Sequence, residues 1–248
     1  MTTPSATTRL PSESSEILPS ANADPKLVSL LHPGTFAADQ YRVLRHLIEE
    51  KRSEGLSVMA VTSPTPADGK TMTAINLAAC LAEAAGSRVL LVDADLRRPS
   101  ILDRLGMGNR TLRGLVDVVS DPSVTLEEVV RRVARTNLFL LPPGKLRTSP
   151  YEVLKSARLA AIFTEARRSY DSVVIDTPPI VAFPDFRLVE KVVDASILVV
   201  AAHQTPAGAI DDAVALLDPT KTLGVVFNGA DLANKYYRGA WDTIRRSR

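Results

Sequence analysis

Val58-Met59-Ala60-Val61-Thr62-Ser63-Pro64-Thr65-Pro66-Ala67-Asp68-Gly69-Lys70-Thr71-Met72 joins an unbroken apolar run to a loop of prolines and small residues, and that loop to a helical pattern. A run of this kind reads as a strand buried on both faces of a parallel sheet. The loop ends in Gly-Lys-Thr. Glycine lets the backbone approach phosphate oxygens, lysine neutralises them, and the threonine hydroxyl can bind magnesium at the start of the next helix. The expected nucleotide contacts are therefore Pro66, Ala67, Asp68, Gly69, Lys70, Thr71 and Met72. Pro64 stands where such loops usually carry their first glycine, so the chain enters with φ fixed near −65°.

Two further apolar runs lead to charged segments. Val89 to Val92 precedes Asp93-Ala94-Asp95-Leu96-Arg97-Arg98-Pro99, and Val173 to Ile175 precedes Asp176-Thr177-Pro178-Pro179. In an open α/β sheet ligands bind outside the carboxyl ends of the strands, so the three segments are predicted to meet in one crevice. Asp93 and Asp95 are two apart and face the same side of an extended chain. Like charges so close call for a cation or donor between them, and magnesium is the natural one. Lys70, Asp93, Asp95 and Asp176 are the expected catalytic groups, with Thr71, Asp93 and Asp176 as metal ligands and ATP with Mg2+ as cofactors. Arg97 and Arg98 serve as counter-charges or reach a neighbouring subunit. Asn228, after Val225-Val226-Phe227, has an amide able to pair with adenine N6 and N7, while a simple turn asparagine has nearly equal claim.

The 248 residues, 45% hydrophobic and 23% charged, suffice for one full α/β core and leave little room for a second large domain. A formal net charge of +2 argues against a generic polyanion binder, and no nucleic-acid partner is expected. The single cysteine, Cys80, lies in the apolar pattern Ile75, Leu77, Ala78, Leu81 and reads as core. His32, His46 and His203 lack metal-ligand spacing. No apolar stretch approaches the ~18 residues of a membrane span, and the start lacks the features of a signal peptide. The reading is cytoplasmic, with any membrane attachment through a partner.

Residues 1–24, rich in Ser, Thr and Pro, read as a disordered leader. The globular domain is predicted over 25–232 and a C-terminal tail over 233–248. Within the domain, helices are expected from Phe36 to Arg52, Lys70 to Ala85, Leu126 to Ala134, Pro150 to Ser169, Phe186 to Val192 and Ala207 to Leu217, with short pieces near Ile101 and Leu112. Strands are expected at Leu138 to Leu141, Ile197 to Ala201 and Leu223 to Phe227, besides the three above. Such alternation predicts a P-loop NTPase of α/β class, with a mostly parallel central sheet and helices on both faces.

A phosphate loop poor in glycine, followed by Leu90-Leu91-Val92-Asp93-Ala94-Asp95-Leu96-Arg97 and Val173-Val174-Ile175-Asp176-Thr177-Pro178-Pro179, resembles the bacterial tyrosine kinases of capsule and exopolysaccharide synthesis, the CapB and CpsD type. The resemblance runs from about Pro25 to Tyr237. Ser149-Pro150-Tyr151-Glu152-Val153-Leu154 is similar to that family's Pro-Asn-Pro-x-Glu-Leu-Leu segment, without its asparagine. Asp39-Gln40-Tyr41-Arg42-Val43-Leu44-Arg45 resembles the family's Glu-x-x-Arg-x-x-Arg motif, which joins subunits into a ring, with aspartate replacing glutamate. The resemblance implies a homo-oligomeric ring through Asp39, Arg42 and Arg45, a membrane polysaccharide co-polymerase adaptor as partner, and autophosphorylation of a tyrosine cluster. Here that cluster is Tyr236 and Tyr237 alone, followed by the basic Arg245-Arg246-Ser247-Arg248. The charges at 39, 42 and 45 also suit the solvated face of a helix. Two other readings stand beside the kinase: an ATP-controlled regulatory module of the export machinery, and an ATPase like ParA or MinD. The latter usually carry a second loop lysine where this chain has Thr65.

Overall fold

The structure, a computed structural model, describes residues 16–108 and 110–230. The elements in chain order are β1 (Glu16–Ile17), α1 (Val28–Leu31), α2 (Phe36–Arg52), β2 (Val58–Thr62), α3 (Lys70–Leu81), β3 (Val89–Asp93), α4 (Ile101–Arg104), α5 (Leu115–Ser120) and α6 (Leu126–Val129). There follow β4 (Arg131–Val133), β5 (Leu138–Leu141), α7 (Pro150–Lys155), α8 (Ala157–Ser169), β6 (Ser172–Asp176), α9 (Asp185–Glu190), β7 (Ala195–Ala201), α10 (Ala207–Leu216) and β8 (Thr222–Asn228). The strands form one sheet in the order β1-β4-β5-β3-β6-β2-β7-β8. Every pairing is parallel except β4 with β5.

β2, β3 and β6 are buried along their whole length, because both faces of the sheet are covered. On one face α2, α3 and α4 pack Ile48, Ile75, Leu77 and Ile101 against Met59, Val61, Leu91 and Val174. On the other, Leu115, Phe163, Phe186 and Ala213 from α5, α8, α9 and α10 meet Ala60, Leu90, Ile175 and Leu198. Residues alternating along one strand thus feed two separate cores, as the pleat requires. α2 begins where Thr35 accepts a hydrogen bond from the Ala38 amide, and closes with Lys51 and Arg52 at the negative end of its dipole. The expected inner face of α2 is present: Ile48 is buried, and Tyr41 and Leu44 pack partly against the same core.

Three expectations change. The leader read over 1–24 is ordered from Glu16 onward: Glu16 and Ile17 pair with Arg132 and Val133, and Ile17 is buried. Ser20 and Asp24 then bond the backbone of Leu105 and Arg104, and Asp24 pairs with the Arg104 side chain at 2.7 Å. A stretch poor in apolar residues is ordered here by backbone pairing to an edge, which composition does not register. The helix expected through Ala134 stops at Val129, because Val130 turns extended (φ −68°, ψ 142°) and leads into β4. The helix expected from Pro150 to Ser169 breaks at Ser156, which is extended and caps α8 by accepting from the Arg158 amide. Residues 1–15 and the whole tail, with Tyr236 and Tyr237, lie outside the described residues.

Candidate active site

Gly69 opens α3 with φ +97°, a left-handed conformation in which a side chain is strained. A Cβ there would also sit 1.9 Å from Asn228 Nδ2. Ala67, two residues earlier, holds φ +69° despite its Cβ. The loop is pinned in this shape by Asp68. Its carboxylate accepts from the Thr65 amide at 2.7 Å and from Thr205 Oγ1 at 2.7 Å, and its carbonyl accepts from Asn228 Nδ2 at 3.0 Å. Asp68 is buried and turned into the protein, so its role is to shape the loop, whereas Pro66 and Ala67 form the exposed crest. Pro66 has no amide proton, so the loop's donors to phosphate begin at Ala67. The sequence leaves Asn228 between a partner for adenine and a turn asparagine. In the structure its amide nitrogen donates to the Asp68 carbonyl, because the end of β8 abuts the loop.

Lys70 is nearly buried and donates to Asp95 Oδ2 at 2.6 Å and to Thr71 Oγ1 at 3.2 Å, with Asp176 Oδ1 at 3.6 Å. Thr71 Oγ1 donates to Asp176 Oδ2 at 2.7 Å. Asp93 and Asp176 are register partners at the ends of β3 and β6. Asp93 Oδ2 accepts from the amides of Ser100 and Ile101, both at 3.2 Å. The parallel sheet thus brings residues 70, 71, 93, 95 and 176 together at its carboxyl edge. The side chain of Met72, the next residue of α3, packs partly against the core.

Burial pushes the Asp93 carboxyl well above the ordinary range, reinforced by the charge of Asp176. It pushes Asp176 up to about 6 against the pull of Lys70 and the Thr71 hydrogen bond. Burial works against the Lys70 charge too, but Asp176, Asp95 and Asp93 outweigh it and hold its pKa above the usual lysine value. Asp93 Oδ1 and Asp176 Oδ1 are buried and have no hydrogen-bond partner. Two orphaned carboxylate oxygens beside a threonine hydroxyl suit a hard divalent cation. Among the described residues no group of three or more His, Cys, Asp or Glu side chains is arranged to hold a metal by itself. Mg2+ takes one or two carboxylates, which the Asp93 and Asp176 pair could supply, and completes its shell with phosphate and water.

A cavity of about 260 Å³ opens beside Asp93, lined also by Pro99, Leu102, Arg110, Thr111 and Pro143. A larger one of about 420 Å³ lies at the opposite edge of the sheet, between Arg52, Arg88, Arg168 and Tyr170. It contains none of the motif residues.

Arg97 donates to Asp185, a fully buried carboxylate, at 2.8 Å and lies over the Phe183 ring at 4.3 Å, clasping the segment after β3 to the one after β6. The sequence gives Arg97 as a counter-charge but no hint of this partner, 88 residues away. Arg42 reaches both oxygens of Glu83 (3.0 and 3.1 Å) and Asp39 at 2.6 Å, while Arg45 reaches Glu49 at 2.8 Å. Asp39, Arg42 and Arg45 thus have partners within the chain. Burial lifts the Cys80 thiol to about 11, in keeping with a core role.

A parallel sheet with a phosphate loop after one strand and carboxylates after two neighbouring strands defines a P-loop nucleotide-binding enzyme. The AAA domain family matches residues 57–211. The tyrosine-protein kinase YwqD of Bacillus subtilis is 32% identical over 221 residues, covering 88% of this chain and 91% of that protein. The kinase domain of Escherichia coli tyrosine kinase ETK superposes with a TM-score of 0.76 at 26% identity, over 85% of this chain and 83% of that one. The chain belongs to the bacterial tyrosine-protein kinase family. Some relatives are much longer: the match to the succinoglycan biosynthesis transport protein ExoP of Rhizobium meliloti, at 32% identity, covers 71% of this chain and 22% of that protein.

Proposed function

We propose that this chain transfers the γ-phosphoryl group of ATP to a tyrosine hydroxyl, and that the transfer regulates polysaccharide synthesis and export. The convergence of Lys70, Thr71, Asp93, Asp95 and Asp176, with one buried oxygen each of Asp93 and Asp176 lacking a hydrogen bond, carries the reading. The loop amides from Ala67 onward and the Lys70 ammonium bind the β and γ phosphates, and Lys70 exchanges its bond with Asp95 for them. Thr71, Asp93 and Asp176 would hold Mg2+, which supplies charge neutralisation on the phosphate oxygens. Asp95 keeps Lys70 oriented until the phosphates arrive. The acceptor tyrosine approaches through the cavity beside Asp93; its oxygen bonds to the γ phosphorus as the bond to the β-phosphate oxygen breaks, and its proton passes to Asp93. A free aspartate and a tyrosine differ by about 6 pKa units, so full deprotonation in advance would cost roughly 8 kcal/mol. The proton therefore leaves late, as a loose phosphoryl transition state permits.

Of the five tyrosines, Tyr41 and Tyr170 are packed and Tyr151 lies on α7, so Tyr236 and Tyr237 are the proposed acceptors in this chain. The proposed partners are further copies of the chain, arranged through Asp39, Arg42 and Arg45, and a membrane adaptor. Among the described residues no helix is long and apolar enough to cross a membrane. Phosphopeptide mass spectrometry after incubation with ATP and Mg2+, with and without a membrane adaptor fragment, tests the proposal. Phosphotyrosine at 236 or 237 supports it. ATP turnover with no phosphotyrosine on any protein present would favour the regulatory ATPase instead.

A further inference from the structure

Three strand starts meet at the edge of the sheet opposite the phosphate loop. Ser57, Arg88 and Asp171 immediately precede β2, β3 and β6. The backbone ties them together: the Asp171 amide donates to the Arg88 carbonyl at 2.8 Å, and the Val173 amide to the Ser57 carbonyl at 2.7 Å. The cavity of about 420 Å³ lies over this junction, flanked by Arg52 at the end of α2 and by Arg167 and Arg168 at the end of α8. Its size is that of a small-molecule site, and its lining is cationic rather than apolar.

Four arginines line the cavity, and Asp171 is the only acidic residue that does. Arg167 is fully engaged, donating to Asp194, the Ser57 hydroxyl and the Val192 carbonyl. Asp171 accepts from Arg52 at 3.3 Å and from the Arg88 amide at 2.7 Å. The side chains of Arg88 and Arg168 have no acidic partner among the described residues. The dipoles of α2 and α8 favour cations in their last turns, which accounts for Arg52, Arg167 and Arg168. Arg88 ends no helix and needs another reason. Its guanidinium carbon lies 5.3 Å from the centre of the Phe139 ring and 5.2 Å from that of Tyr170. Contact with two rings holds the group in place without neutralising it. Its Nε is buried and has no hydrogen-bond partner.

We propose that this cavity binds a phosphate-bearing ligand, held by the guanidinium groups of Arg88 and Arg168 with Arg52 beside them. A guanidinium presents parallel N–H donors that match two phosphate oxygens. β3 runs from Arg88 to Asp93, a span of about 17 Å, so a ligand here binds without displacing the nucleotide. A soluble organic phosphate and the headgroup of an anionic lipid offer the same chemistry. The inference does not depend on the phosphoryl-transfer reading.

The test uses the full chain saturated with Mg2+ and a non-hydrolysable ATP analogue, which occupies the phosphate loop. Equilibrium dialysis measures binding of labelled pyrophosphate, and flotation measures binding to phosphatidylcholine vesicles containing phosphatidic acid. Both are repeated on Arg88→Gln and Arg168→Gln, with far-UV circular dichroism and retention of the analogue confirming the fold. The expected result is one pyrophosphate per natural chain and about tenfold weaker binding in each variant. Vesicle binding that falls in the same variants, without pyrophosphate binding, supports the site and assigns the phosphate to a lipid headgroup. Binding of neither probe, or equal binding by the natural chain and the variants, overturns the proposal. Arg168 is exposed, so Arg168→Gln decides the matter alone if Arg88→Gln does not fold.

Discussion

Replacing Gly69 by alanine tests the architecture of the phosphate loop most sharply. The new Cβ meets two separate obstacles. At φ +97° an L-residue pays backbone strain of about 1–2 kcal/mol. The Cβ also lands 1.9 Å from Asn228 Nδ2, which must swing away and give up its 3.0 Å bond to the Asp68 carbonyl, a further loss of about 1 kcal/mol. Gly69→Ala should therefore destabilise the protein by about 2–3 kcal/mol and Asn228→Ala by about 1 kcal/mol. The double variant should cost no more than Gly69→Ala alone, since the bond is already lost, which leaves a coupling of about 1 kcal/mol. Urea unfolding followed by far-UV circular dichroism measures all three, and binding of a fluorescent ATP analogue follows the loop itself. Additive losses, or a Gly69→Ala variant as stable as the natural chain, would refute the reasoning.

Lys70→Met should abolish ATP turnover. It should also destabilise the fold by up to about 3 kcal/mol near pH 7, because Asp95 and Asp176 lose their buried counter-charge; retained turnover in the purified variant would remove Lys70 from the site. Asp194 accepts from the amides of Ser57 and Val58 and from Arg167. Burial would raise its carboxyl, but these bonds outweigh it and hold its pKa below the ordinary value. The resulting stability is fully present above the unfolded-state pKa of about 4 and fades as the pH falls through the folded-state value. Asp194→Asn should therefore cost stability at pH 7 and progressively less below pH 4, and a difference constant from pH 7 to pH 3 in parallel melts would exclude this origin. If Arg42 and Arg45 pair across subunits, Glu83→Ala removes one of the Arg42 partners within the chain and should raise the assembled mass in light scattering, while the double arginine-to-alanine variant lowers it; equal masses in both would confine these arginines to their own chain.

What the sequence made legible was whatever depends on short range. The central strands declare themselves by unbroken runs of Val, Leu and Ile, and the parallel rule then carries 70, 93, 95 and 176 to one edge without further knowledge. Short strands such as β1 and β4 are two and three residues long, too short for any periodicity to show. The break at Ser156 hides inside a pattern that is apolar at helical spacing on both sides. Least visible are the polar contacts between distant segments. Nothing local distinguishes Asn228 as a brace for the loop from an asparagine that reads adenine, or marks Thr205 and Asp185 as partners of Asp68 and Arg97. Those pairings follow from where strands lie side by side, which is a property of the finished sheet.

The brace on the phosphate loop also says something about when the site comes into being. Asp68 is held by Thr205 and Asn228, which follow it by 137 and 160 residues. Contacts of such separation carry a larger loop-closure cost and can close only once both segments have been synthesised. During synthesis, a chain that has emerged through β7 already has Lys70, Asp93, Asp95 and Asp176 available on adjacent strands, yet its loop lacks the last strand's grip. The shape of the phosphate loop is thereby tied to the presence of β8, and a product truncated before β8 carries the motifs without the Asn228 brace.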